Sequence, residues 1–308
     1  MSVLVVGSMA IDSVQTPFGS RPEALGGSAT FFSMSASNLT SVRLVAVIGD
    51  DFPAEHVDML TKRKIDLAGL QRVPGGKTFR WQGRYSENLN EAITLGTQLN
   101  VFADFRPTLP EHYRDSEYVF LANIHPVLQA EVLEQVRAPK LVALDTMNLW
   151  IDTEIEALKK VLRRVDMLLV NEGEARQLSG EYNIVKAARA LMAMGPSRIV
   201  IKRGEYGALY FEGTHIFFAP AYPLESVFDP TGAGDTFAGG VVGHLARTGR
   251  LETADVQQAM VMGCVMGSFT VETFSVDRLM KVTPQEIRQR FGRFRGLTTF
   301  ADLADDFE

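Results

Sequence analysis

Short runs in which nearly every position is apolar punctuate the chain, at residues 3–6, 44–48, 118–121, 141–144, 167–170 and 199–201. Runs this short, with no polar face, predict strands buried on both sides. Between them, residues 28–39, 53–63, 127–136, 153–163, 173–179 and 184–194 are compatible with helices. Strands alternating with helices predict an α/β fold with a mostly parallel, helix-covered sheet. Two segments, about 10–24 and 73–106, break this rhythm with polar and aromatic residues in alternation (Phe79, Trp81, Tyr85). They predict a small β-sheet lid, because structureless loops longer than about 15 residues are uncommon in compact domains. After residue 205 a hairpin is expected over 208–211 and 215–219, followed by helices at 236–247 and about 254–271. The acidic end, 301–308, reads as a solvated tail.

Composition narrows the function. The 308 residues are 46% hydrophobic and 22% charged, which suits a single domain, 1–308, with the lid as a subregion. A formal charge of −6 offers no basic face for a nucleic acid. A single cysteine, Cys264, rules out an internal disulfide framework or a multi-cysteine metal site and fits a reducing compartment. No basic region precedes the first apolar run, and the stretch 256–269 is too short and too interrupted to span a bilayer. A cytoplasmic protein with no membrane partner is the expectation. The five histidines form no H-E-x-x-H set, so transition-metal chemistry is not indicated.

The most informative stretch is Asp229-Pro230-Thr231-Gly232-Ala233-Gly234-Asp235-Thr236-Phe237-Ala238-Gly239-Gly240. Gly232 and Gly234 permit a tight turn into a helix whose unpaired N–H groups converge on one point, the usual seat of a phosphate. Asp235 beside such a cradle is either a first-turn acid or a general base for a hydroxyl attacking a phosphoryl group. The chain lacks G-x-x-x-x-G-K-[ST], and Phe237 stands where a dinucleotide fingerprint needs its third glycine.

This segment resembles the C-terminal signature of the ribokinase, or pfkB carbohydrate kinase, family of sugar and nucleoside kinases. Gly7-Ser8-Met9-Ala10-Ile11-Asp12, Gly26-Gly27-Ser28, Val47-Ile48-Gly49-Asp50-Asp51-Phe52, Asn171-Glu172-Gly173-Glu174 and Lys202-Arg203-Gly204-Glu205-Tyr206-Gly207 match further family elements in order. The resemblance implies a three-layer αβα sandwich with a β-sheet lid, and ATP with Mg²⁺ as the phosphoryl source. It makes Asp235 the catalytic base and the amides of Gly232, Ala233 and Gly234 an anion hole. Asn171, Lys202, Gly204, Gly207, Thr231, Gly263 and Cys264 fall to the nucleotide site, and Glu174 to Mg²⁺ through water. Bland readings stand beside these: a first-turn acid for Glu174, a lysine with a buried stem for Lys202, a plain turn for Gly204 and Gly207, and close helix packing for Gly263. Asp229 and the Thr231 backbone match the first ligands of a monovalent-cation site, but Phe274-Ser275 replaces its glycine-containing turn, leaving K⁺ open.

For the acceptor, the resemblance assigns Asp12, Gly26 and Gly27. Ala10 and Phe31 replace two asparagines common in sugar-binding members. Phe31, Phe32, Phe79 and Trp81 suit stacking on a planar base, which tilts the expectation to a nucleoside over a sugar. The same aromatics would serve equally as core or as a dimer clasp. Asn123, His125, Asp145 and Asn148 follow strands at the carboxyl edge, and Asn148 is taken as the acceptor contact. The expected reaction is transfer of the ATP γ-phosphate to a hydroxymethyl group of a small-molecule acceptor. The rival is an idle nucleotide-binding regulator, which would have no use for Asp235. Homodimerisation through the lid is the association to expect.

Overall fold

A computed structural model describes residues 1–301; the remainder of the acidic tail lies outside the described residues. The first half of the chain runs β1 (Ser2–Val6), β2 (Ala10–Thr16), β3 (Gly19–Gly26), α1 (Ser28–Ala36), β4 (Ser41–Gly49), α2 (Ala54–Lys62), β5 (Ile65–Val73), β6 (Phe79–Tyr85), β7 (Ala92–Gln98), β8 (Tyr118–Leu121), α3 (Pro126–Leu133), β9 (Leu141–Asp145) and α4 (Asn148–Thr153). It continues α5 (Ile155–Leu162), β10 (Met167–Asn171), α6 (Glu172–Ser179), α7 (Ile184–Met192), β11 (Arg198–Lys202), β12 (Ala208–Glu212), β13 (His215–Ala219), α8 (Ala233–Thr248), α9 (Thr253–Thr270) and α10 (Pro284–Thr298).

Nine strands form the large sheet, in the order β13-β12-β11-β10-β9-β8-β1-β4-β5, all parallel except the β12 and β13 hairpin at one edge. Alternation along each strand divides its side chains between two cores. Val3 and Val5 join α1, α8 and α9 on one face, while Leu4 and Val6 join α3, α5 and α7 on the other. Helices on both faces explain why the strands read as unbroken apolar runs.

Besides the short helix α4, strand β5 and helix α10 escape the hydrophobic pattern. Strand β5 lies at the sheet edge with Asp66, Gln71 and Arg72 among its residues, so only part of it is apolar. Helix α10 is mostly polar and is set instead by a capping box between Thr283 and Glu286, with Pro284 in the first turn.

Helices α8 and α9 cross where two glycines face each other. A Cβ on Gly240 would stand 2.9 Å from the Gly263 Cα, and one on Gly263 would stand 2.7 Å from Val241 Cγ2 and 2.8 Å from the Phe237 ring. Gly263→Ala is therefore expected to overpack the crossing and lower stability by about 1–3 kcal/mol, measured by denaturant unfolding; an unchanged midpoint would contradict this packing.

The second sheet, in the order β3-β2-β6-β7, matches the expected lid at 10–24 and most of the second segment. Its β2 strand leaves directly from β1, so the lid stands over the carboxyl ends of the large sheet, the edge where open α/β sheets place their ligands.

Candidate active site

The turn before α8 is built by its own side chain. Asp229 accepts from the Thr231 amide through Oδ1 (2.9 Å), and Ala233 N–H donates to the Pro230 carbonyl (3.1 Å). Gly232 then takes φ +73 at the helix start, with the Phe31 ring 2.2 Å from where a Cβ would be. Both the left-handed backbone and that close approach require glycine. Among the described residues, the amides of Gly232, Gly234 and Asp235 have no acceptor. Of the three amides expected to form an anion hole, that of Ala233 is paired inside the turn, whereas the Asp235 amide is left free beside those of Gly232 and Gly234. Free amides at the start of a 16-residue helix make an anion seat.

Beside this seat lies a cluster of charge. Lys202, at the end of β11, reaches Asp145 at the end of β9 (Nζ to Oδ2, 2.7 Å); the Asp145 side chain is buried and that of Lys202 mostly so. The Lys202 Nζ is 3.2 Å from where a Cβ on Gly234 would stand, which places the ammonium against the helix start. Lys202 is therefore no surface lysine. Burial opposes its charge, but Asp145 and Glu174 outweigh burial and raise its pKa. The Asp235 carboxyl is pushed up to about 7, first by burial and then by the charge of Asp145, against the pull of Lys202. A carboxyl poised there can exchange a proton near neutrality.

Asn171 and Glu174 turn towards each other. The Glu174 amide donates to Asn171 Oδ1 (2.8 Å) and the Asn171 amide donates to Glu174 Oε2 (2.7 Å), a capping box that starts α6. Glu174 is buried rather than the exposed first-turn acid of the bland reading, and burial pushes its carboxyl up to about 7, with Lys202 pulling it down and Asp145 pushing it further up.

On the acceptor side, Asp12 is buried with Oδ1 unpartnered. A Cβ on Gly26 would meet Asp12 Oδ2 at 1.9 Å, and Gly27, at φ +96, passes so close to the Ser8 carbonyl that a Cβ would stand 2.5 Å from it. These glycines let the carboxylate and the backbone come together. Burial, helped by Asp229, pushes Asp12 up to about 7, while the Gly27 amide pulls it down. A buried oxygen without a partner calls for a ligand hydroxyl.

The expected aromatic pocket is mostly dismantled. Phe32 stacks on Phe120 in the core (4.3 Å), Phe31 supports Gly232, and Phe79 stacks on Phe102 (5.3 Å). Trp81 remains. It pairs with Asp12 across β2 and β6, so the two side chains share a face of the lid sheet. Its indole lies over Gly83, where a Cβ would come within 2.0 Å of the ring. Tyr85 follows on the same face, and its hydroxyl is 3.3 Å from Thr231 Oγ1.

Other expected contacts are placed elsewhere. Asn148 donates to Gln177 Oε1 (2.8 Å), tying α4 to α6. Asn123 accepts from Trp150 Nε1 (2.9 Å), and His125 caps α3. Of the four residues at that edge, Asp145 is the one that joins the charged cluster, as a lone acid ending a buried strand. Gly263 is filled by α8, as the close-packing reading had it. Cys264 is buried, which pushes its thiol up to about 12 and leaves it inert as a nucleophile. Asp229 also accepts from the Ser275 amide (3.1 Å). Ser275 itself adopts φ +58, taking the left-handed backbone that glycine would favour there.

The family model for pfkB carbohydrate kinases matches residues 2–281. The chain belongs to the pfkB carbohydrate kinase family. It is 32% identical to a cytidine kinase of Thermococcus kodakarensis over 82% of this chain and 91% of that protein. It is 26% identical to an inositol 3-kinase of Arabidopsis thaliana over 94% of this chain and 80% of that one. The fold superposes on the nucleoside kinase of Methanocaldococcus jannaschii, a member of the ribokinase family, with a TM-score of 0.76 at 17% identity, covering 95% of this chain and 98% of that one. The chain is thus a ribokinase-fold kinase of the sugar and nucleoside class, which transfers phosphate from ATP to a hydroxyl group. No helix among the described residues is long and apolar enough to cross a membrane.

Family membership implies a divalent metal beside ATP. Asp145, Glu174 and Asp235 face a single ammonium, an excess of negative charge that a cation would offset. No group of three or more His, Cys, Asp or Glu side chains among the described residues can wrap an ion.

Proposed function

We propose that the kinase phosphorylates a hydroxymethyl group of a nucleoside, with Asp235 as general base and the free amides of Gly232, Gly234 and Asp235 as the anion hole. The observation that carries this reading is the juxtaposition at the start of α8: a carboxyl pushed up to about 7 beside unpaired amides and the ammonium of Lys202. Mg-ATP, when bound, supplies the phosphoryl group, with Glu174 holding Mg²⁺ through water. Asp12 holds the acceptor through its free Oδ1, and Asp235 takes the proton of the attacking hydroxyl. The amides and Lys202 offset the charge that develops on the phosphoryl oxygens. The lid excludes water. Association of two copies through the lid and a K⁺ ion near Asp229 belong to the same reading, tested by light scattering and by replacing KCl with a tetramethylammonium salt.

Trp81 supports the nucleoside. Its indole lies over Gly83 on the face that carries Asp12, an apolar surface matched to a base. Trp81→Ala is expected to raise the KM for cytidine about fivefold with a smaller loss of kcat, because a stacked aromatic contact contributes on the order of 1 kcal/mol. Loss of Phe31, Phe32 and Phe79 from the pocket favours a second reading, a polyol acceptor held by Asp12 alone. ADP release from Mg-ATP over cytidine, other nucleosides, ribose and inositol decides between them. Turnover confined to the polyols would discard the stacking argument and keep the kinase.

A further inference from the structure

Besides the bonds from Ser275 to Leu25 and from Arg80 to Asp51, two contacts made near the turn of the β6–β7 hairpin fasten the lid to the body. The first, between Tyr85 and Thr231, closes over the acceptor. The second is made by the hairpin tip between β6 and β7. There Asn88 Oδ1 accepts from both the backbone and the side-chain amide of Asn90 (3.1 and 3.2 Å), folding the tip upon itself. The Asn90 carboxamide is delivered onto the turn after β11: Nδ2 donates to Glu205 Oε1 (3.5 Å), and Oδ1 stands 2.0 Å from the position of a Cβ on Gly204.

The two glycines of this turn therefore have different partners. At Gly207 the close neighbour belongs to the body, the Ala219 carbonyl, 2.1 Å from a would-be Cβ. At Gly204 the close neighbour belongs to the lid. The turn is a firm platform: Arg203 N–H donates to the Gly207 carbonyl (2.8 Å), Gly207 N–H to the Gly204 carbonyl (3.1 Å), and Arg203 Nε to Glu172 Oε2 (2.6 Å). Gly204 lacks a side chain where the lid tip needs the room.

We propose that Asn90 is a nucleotide-site residue contributed by the lid, and that one hairpin covers both substrates, through Tyr85 on the acceptor side and Asn90 on the nucleotide side. The inference rests on the reading of the 203–207 turn as part of the nucleotide site. A nucleoside triphosphate seated at this turn meets a carboxamide offering both a donor and an acceptor. Because the same hairpin closes over the acceptor, each substrate strengthens the other, and by linkage the effect is equal in both directions.

Calorimetric titration of the full chain with Mg-AMPPNP alone tests this without knowing the acceptor. Asn90→Ala, an exposed loop substitution, is expected to weaken binding about three- to tenfold, the range of one hydrogen bond. Gly204→Ala is expected to weaken it as well, and the double variant to bind no worse than Gly204→Ala. The strain of alanine at φ +55 is common to both Gly204 variants and cancels in the cycle. Mg-AMPPNP is also expected to slow hydrogen exchange of the 86–91 amides in the wild type and not in Asn90→Ala. Wild-type affinity in Asn90→Ala, multiplying defects in the double variant, or unchanged exchange at 86–91 in the wild type would each overturn the clasp. A wild type that binds no Mg-AMPPNP sinks the nucleotide reading itself, and the clasp with it.

Discussion

Asp235→Asn is expected to lower kcat by about a hundred- to ten-thousand-fold while the protein still folds and binds Mg-AMPPNP, the loss characteristic of a positioned base. Asparagine keeps the shape of the side chain and removes its ability to take a proton. In the wild type the base works only when ionised, so kcat/KM should rise with pH through about 7. Asp12 sits at about the same value, so its contribution must be separated. With Asp12→Asn the acid limb should persist, and with Asp235→Asn the residual rate should lose it. An Asp235→Asn enzyme with wild-type turnover would remove the base from the mechanism.

The same carboxyl makes a prediction about stability. Its pKa in the folded state is raised above the unfolded value of 3.8, so the folded state binds more protons between those values and stability falls as pH rises from about 4 to 7. Asp235→Asn removes this cost. At pH 8 the unliganded variant should melt above the wild type, and the gap should close as the pH falls towards 4. An inactive enzyme that is more stable than the active one is the expected mark of a functional carboxylate held where folding alone would not place it.

The large sheet and its flanking helices were legible because burial on both faces writes itself as unbroken apolar runs, and the lid because Phe79, Trp81 and Tyr85 alternate. Strand β5 and helix α10 were not, since an edge strand and a polar, capped helix carry little hydrophobic signal. Within the site, the glycine turn could be read from spacing, which left Asp235 open between a first-turn acid and a general base. Which amides remain free could not, because that depends on Ala233 being spent on the Pro230 carbonyl. The aromatic argument failed for Phe31, Phe32 and Phe79, since composition does not say which way a ring points. Asn148 and Asp145 stand three residues apart at the same sheet edge, yet only the reach of Lys202 from β11, two strands away, decides that Asp145 joins the charged cluster.

Lys202 is the residue on which that cluster balances. It is the ammonium shared by Asp145, Glu174 and Asp235, and it lies against the helix start where phosphate would sit. Lys202→Met keeps the bulk of the stem and deletes the charge, leaving Asp145 buried without its partner. Breaking a buried pair from one side costs about 3–5 kcal/mol, so the variant should unfold at markedly lower denaturant. Adding Asp145→Asn to it removes the stranded charge, and the double variant should recover most of that stability. Activity should follow a different rule. If Lys202 only props up the fold, the double variant regains turnover along with stability. If the ammonium offsets charge on the transferring phosphoryl group, turnover stays at least about a hundredfold down in the stabilised double variant, the scale of losing one preorganised charge-stabilising group. Lys202→Arg, which keeps the charge, should retain part of the activity, and a double variant with wild-type kcat would assign Lys202 to the fold alone.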